Sequence, residues 1–209
     1  GDAAKCSAGI NVGLGGMLRL TRAEYDNIVE AIFKDSSAYA SEVLGSDGRI
    51  GNFNVNLAKV SVNYLESLIS ISKSVAEKAA SNDNAWMPCT TQDDACARTI
   101  IDTVANQAFR GNVSQEDKDA YFAMFNEAKT GGTHEEGIAR AIETILASPQ
   151  FLYRMEFGEA DASLGADLVK LTQREIASRL AALIWRGAPD ASLLAAADAN
   201  QLSTVAQIK

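Results

Sequence analysis

The sequence predicts an all-α protein, a compact multi-helix domain of about eight or nine helices with short loops. Three observations predict it. Thr21-x-x-Glu24, Thr133-x-x-Glu136 and Thr172-x-x-Glu175 are capping boxes. In each, the Thr hydroxyl can accept from the amide three residues on while the Glu reaches back to the Thr amide. Behind the boxes, apolar residues recur at helical spacing. Period-two alternation is scarce; it comes closest over residues 50–56, where Gly and Asn interrupt it.

The helices follow in order. Behind the first box, Tyr25, Ile28, Val29, Ile32 and Phe33 form one apolar stripe, with Leu20 placed as a hydrophobic staple for Tyr25. Residues 62–80 carry Leu65, Leu68, Ile69, Ser72, Val75, Ala76 and Ala79 on one face. Residues 94–109 present Ile100, Ile101, Val104 and Ala108, and Ser114 heads a helix holding Tyr121, Phe122, Phe125 and Ala128. The second box opens a helix with Ile138, Ala141, Ile142, Ile145 and Leu146 inward, and Pro149 starts a short helix through about Met155. The third box has Leu171 as staple for Ile176 and sets Ile176, Leu180, Leu183 and Ile184 on a face that Gly187 and Pro189 end. Residues 190–199 read as one more helix, and residues 202–209 as the opening of another, as if the chain were the front part of something longer.

This order divides the chain into a flexible lead-in (1–17) and a first helical module (18–85). A second module (86–131) contains the Cys89–Cys96 loop, and a third (132–209) is expected to continue beyond the chain end, all packed as one helical unit. Residues 46–56 and 159–166 read as exposed loops or linkers, and no internal repeat is evident. The length of 209 residues, 47% hydrophobic and 22% charged, suits a globular protein with a substantial core. A net charge of −8 argues against nucleic acid, whose phosphates need clustered Lys and Arg. No apolar run is long enough to form a transmembrane segment.

Candidate chemistry is sparse. Cys89 and Cys96 flank the polar loop Thr90-Thr-Gln-Asp-Asp-Ala95, which a disulfide would close, placing the protein in an oxidising compartment. Free thiols and a zinc half-site are the alternatives, and Cys6 is left over. His134, the one histidine, is expected on the surface at a helix start. Asp47, Asn52, Asn54 and Asn56 offer oxygens to a cation, yet read better as a hydrogen-bonded turn because the set lacks the carboxylates of a calcium loop. Glu135, Glu136, Glu116, Asp117 and Asp119 sit where acids complement a helix dipole. Trp86, Phe151, Tyr153 and Trp185 read as core, as do Met87, Met124 and Met155, although a methionine sulfur can also ligate haem iron. The glycines at 13, 15 and 16 lack the preceding strand of a dinucleotide fingerprint. There is no Cys-x-x-Cys-His for covalent haem, so no cofactor is expected to be attached within this chain.

Ordered signatures carry a resemblance. They are Leu18-Arg-Leu-Thr-Arg-Ala-Glu-Tyr-Asp-Asn27, Val60-Ser-Val-Asn-Tyr-Leu65, Cys96-Ala-Arg98 leading to Gln107-Ala-Phe-Arg110, Ala147-Ser-Pro-Gln-Phe-Leu-Tyr-Arg-Met-Glu156, Glu175-Ile-Ala-Ser-Arg-Leu180 and Ile184-Trp185. In wording and order the chain resembles an exported, planctomycete- or myxobacterial-type, cytochrome-associated bacterial family built of serial domains of unknown function. The resemblance implies an extracytoplasmic location, periplasmic, cell-surface or secreted. It also implies haem c in the remainder of the full protein, and a role for this chain as the helical front half of a c-type cytochrome-like electron-transfer or oxidoreductase protein. Its partners would be the missing C-terminal half or a second subunit, and a redox partner. The rival reading is a non-catalytic extracytoplasmic module that associates with protein or polysaccharide. No catalytic residue carries over.

Overall fold

Polar side chains set where the helices start. Every box that the sequence predicts forms: the Thr21, Thr133 and Thr172 hydroxyls accept from the amides of Glu24, Glu136 and Glu175, and each Glu returns to the Thr amide. Ser114 builds a fourth box with Asp117, an acid one methylene shorter than the usual Glu. The computed structural model describes residues 17–50, 53–55, 60–81, 85–161 and 168–208, with the backbone alone for 49–50 and 53–55. Cys6, the glycines at 13, 15 and 16, Asn52 and Asn56 lie outside the described residues, as does the side chain of Asn54.

The order is Leu18–Arg19 (β1), Arg22–Phe33 (α1), Tyr39–Val43 (α2), Gly48–Ile50 (β2), Phe53–Val55 (β3), Val62–Ala80 (α3), Asp94–Ala108 (α4) and Gln115–Gly131 (α5). There follow His134–Ala147 (α6), Pro149–Leu152 (α7), Tyr153–Arg154 (β4), Glu159–Ala160 (β5), Val169–Lys170 (β6), Gln173–Trp185 (α8), Ala191–Asp198 (α9) and Val205–Ile208 (α10). The fold is predominantly α, with ten helices and three two-stranded antiparallel ladders among the described residues. The helix that sequence reading missed is α2. It has no cap of its own; the Asp26 carboxylate on α1 accepts the amides of Ala40 at 2.7 Å and Ser41 at 3.0 Å.

α6 is the central helix. It packs against α3, α4 and α5, and Ile138, Ala141, Ile142, Ile145 and Leu146 are all buried, as their spacing predicts. Gly137 lets α5 come close, since a Cβ there would lie 2.7 Å from the Phe125 ring. The α1 stripe is also fully buried: Tyr25 meets Phe151 edge-on at 5.2 Å, and Phe33 meets Trp86 at 4.9 Å.

Elsewhere the expectation is corrected. On α3 the buried face is Leu68, Ile71, Ser72, Val75, Ala76 and Ala79, while Leu65 and Ile69 are exposed. On α8 the buried residues are Glu175, Ala177, Ala181 and Ala182, and Leu183, Ile184 and Trp185 face solvent. Ile176 and Leu180 are half-buried against Ala177, Ala197 and Leu202, so the expected stripe holds in the first two turns and fails in the last, where alanines take the inward side. The Pro149 helix ends at Leu152, because Tyr153 and Arg154 extend to pair with Arg19 and Leu18. The two expected loops are partly ladders: Gly48–Ile50 pairs with Phe53–Val55, and Glu159–Ala160 with Val169–Lys170.

These ladders reveal a local repeat. β1 enters α1 through Leu20-Thr21, and β6 enters α8 through Leu171-Thr172, with helices of 12 and 13 residues that each end in a left-handed residue, Lys34 and Arg186. Both strands dock on the one segment 153–160. That segment is the hub that positions the cleft described next.

Candidate functional site

The cleft begins at the end of α4. Arg110 and Gly111 both adopt the left-handed conformation, with φ of 57° and 81°, as the Gly111 amide turns back onto Asn106 O at 2.8 Å. Glycine is the usual residue at such a helix end, and a side chain there costs about 1–2 kcal/mol. The Arg110 side chain gives the reason for the cost. It is buried, and its guanidinium donates to the carbonyls of Gln150 at 3.2 Å and Phe151 at 2.8 Å, fixing the end of α7. Burial, and then the neighbouring Arg154, pull its pKa down to about 10, with Glu24 opposing.

α8 supplies the opposite wall. The buried Glu175 carboxylate accepts the amides of Phe157 at 2.7 Å, Gly158 at 3.0 Å and Thr172 at 2.7 Å, and the Thr172 hydroxyl at 3.0 Å. Burial pushes this carboxyl up, and the four donors more than reverse it, so it titrates below its ordinary value. Glu156, also buried, makes a two-point ion pair with Arg179. Arg174 grips Asp198 of α9 at 2.9 and 3.1 Å and donates to Gly111 O. The result is a cleft of about 490 Å³ whose remaining lining includes Asn112, Tyr153, Met155, Phe157 and Ser178.

The second feature is the disulfide. Cys89 and Cys96 are bonded, with Cα atoms 5.8 Å apart, closing the loop onto the first turn of α4, where Asp93 caps the Cys96 amide at 2.8 Å. Replacing both cysteines by serine is expected to cost about 2–3 kcal/mol from loop closure. Thermal unfolding of the oxidised and serine forms checks this, and equal midpoints would contradict it.

His134 is not the surface residue expected: it is half-buried, edge-on to Phe125 at 5.2 Å, and its Nε2 is buried without a hydrogen-bond partner. Asp47 does not form a cation site with described side chains. Its carboxylate accepts the Arg22 amide at 3.1 Å and so serves the start of α1. Glu116, Asp117, Glu135 and Glu136 occupy first helical turns, and Asp119 pairs with Arg98. Phe151 is buried, Trp86 and Tyr153 are half-buried, and Trp185 is exposed. Met124 is exposed, while Met87 and Met155 are half-buried at cavity walls. Sequence reading missed Arg110, Glu156, Glu175 and Arg179. The signal for Glu175 was its place in a capping box; Arg110, Glu156 and Arg179 lie inside the ordered signatures, which mark the segments without assigning these side chains a role.

The residues present do not fit a haem. The cavity beside His134 is about 50 Å³, far below the roughly 300–1,000 Å³ of ordinary ligand pockets. Of the sulfurs there, Cys89 is bonded to Cys96, which leaves the Met87 thioether on the wall of a cavity too small for a porphyrin. Met155 lines the larger cleft without an imidazole opposite. Among the described residues no group of three or more His, Cys, Asp or Glu is placed to hold a metal ion.

Fold and cleft together define a disulfide-bonded, predominantly α protein whose cleft lies where successive helical units meet. Comparison with known families agrees with serial units. Residues 96–156 match PSD5, a protein family of unknown function (DUF1595), and residues 171–209 match PSD4, also of unknown function (DUF1592). The chain thus carries these two domains in series, and the cleft is lined from both. No curated protein and no solved structure matches.

Proposed function

We propose that this chain is a helical scaffold for an exported, c-type cytochrome-like redox protein, with the haem carried by a part of that protein outside these residues. The observation that carries the reading is the α8 face. Leu183 and Ile184 are 69% and 68% exposed and Trp185 41%, in consecutive positions at the end of the helix. Behind them lies a small second core, three buried residues among the described ones, Ala177, Ala197 and Leu202, with Ile176, Leu180, Leu193 and Ala196 packed against it. A helix whose last turn presents three consecutive large apolar residues to solvent is arranged to be covered by a partner. The partner is the haem-bearing part, either further polypeptide or a second subunit, and a low-dielectric helical wall against a haem tunes its potential. The disulfide supports an extracytoplasmic location, periplasmic, cell-surface or secreted. No helix among the described residues is long and apolar enough to cross a membrane.

The double variant Leu183→Asp, Ile184→Asp tests the docking face. Both side chains are already in water, so the isolated chain is expected to keep its melting temperature within about 2 °C. In the protein from its native source, the same variant is expected to separate this chain from the haem-bearing part, or to loosen the two where they are covalently continuous, as read by size-exclusion chromatography and limited proteolysis. Unchanged association and protease resistance would contradict the proposal.

A further inference from the structure

We infer that the cleft between the PSD5-matched and PSD4-matched segments is a binding site for a neutral saccharide of one or two rings. The inference stands apart from where a haem lies. The charged groups around the cleft are committed to one another or to backbone. Arg110 is spent on the Gln150 and Phe151 carbonyls, Arg174 on Asp198 and Gly111 O, Glu156 on Arg179, and Glu175 on four donors. They form the frame. The same bonds hold the backbone at 150–151, 157–158 and 172 in place before any ligand arrives, which lowers the entropic cost of binding.

What remains uncommitted in the lining is neutral. The Asn112 side-chain carboxamide, the Tyr153 hydroxyl and the Ser178 hydroxyl belong to residues that line the cleft, and none of the three makes a hydrogen bond with described residues. The Phe157 ring, 70% exposed, lines it too, although its own amide is fixed by Glu175. An exposed ring on a rigid backbone, beside a half-buried tyrosine, an amide and a hydroxyl, matches a sugar. The apolar C–H face of a pyranose packs on an aromatic ring, and its hydroxyls pair with neutral donors and acceptors. The volume of about 490 Å³ accommodates such a ligand. Among the described residues the lining holds no lysine, and its two arginines are turned to the frame, Arg110 to the Gln150 and Phe151 carbonyls and Arg174 to Asp198 and Gly111 O, so the glucuronate probe below separates a neutral from an acidic ligand.

The test is saturation-transfer NMR and titration calorimetry of the oxidised chain with maltose, cellobiose and chitobiose as neutral probes and glucuronate as an acidic one. At least one neutral disaccharide is expected to bind, with Phe157→Ala and Asn112→Ala each weakening it about tenfold or more, a loss of 1.4 kcal/mol. Because Phe157 and Asn112 are exposed, both variants are expected to keep the parent melting temperature. Absence of binding by all three neutral probes, binding of glucuronate alone, or binding that neither variant weakens would each overturn the assignment.

Discussion

Phe151→Ala is expected to lower stability by about 3–5 kcal/mol, the range for emptying a fully buried aromatic site. Phe151 is 0% exposed and stands edge-on to Tyr25 at 5.2 Å, so its removal leaves a void between α1 and α7. The backbone at this point is held by the Arg110 guanidinium on its carbonyl at 2.8 Å and by the Ser148 cap on its amide at 3.3 Å. Those bonds keep the chain in place and limit collapse into the cavity. For a chain of this size the loss corresponds to a fall in melting temperature of roughly 10 °C, read by circular dichroism. A loss under about 1 kcal/mol would mean that Phe151 is not part of the core.

Glu175→Ala is the second large effect, about 2–3 kcal/mol, because it leaves the partly buried amides of Phe157, Gly158 and Thr172 without their charged acceptor. Its pH dependence has a definite sign. The carboxyl titrates below its ordinary 4.5 in the folded protein, so it stabilises above that pH, and the stabilisation is lost as pH falls through the lower folded value. Asp35 acts in the same direction. Burial raises it, but the Lys78 ammonium at 2.9 Å and the Ser37 and Tyr39 hydroxyls hold it well below the usual carboxylate range. Urea titrations from neutral pH downward are expected to show stability falling below about pH 4.5, with a shallower fall in Glu175→Gln. A fall of equal steepness in that variant would show that Glu175 is not held in its charged form.

The helical architecture was legible because its signals are local. Thr21, Thr133 and Thr172 each find their Glu three residues away, and the stripes behind Thr21 and Thr133, large side chains apart from Ala141, are all buried. The last turn of α8 was misread because Ala181 and Ala182 take the buried side there while Leu183 and Ile184 face solvent, and periodicity arguments weigh size. α2 was invisible because its cap, Asp26, belongs to another helix. The cleft was illegible for a related reason. Arg110 meets carbonyls 40 and 41 residues away, Glu156 meets Arg179, and Glu175 reaches Phe157, so each partnership exists only once segment 153–160 has docked β1 and β6. The disulfide lay between these cases. Two cysteines around a polar loop allowed three readings, and the fold brings the pair together at the first turn of α4.

The most direct measurement is a reduced-minus-oxidised visible spectrum of the protein purified from its native source, with this sequence confirmed in the preparation by peptide mass. A scaffold for a c-type cytochrome predicts sharp haem c bands co-purifying with the chain. A flat spectrum from an intact preparation would contradict it, and the α8 face would then belong to a non-catalytic interaction module.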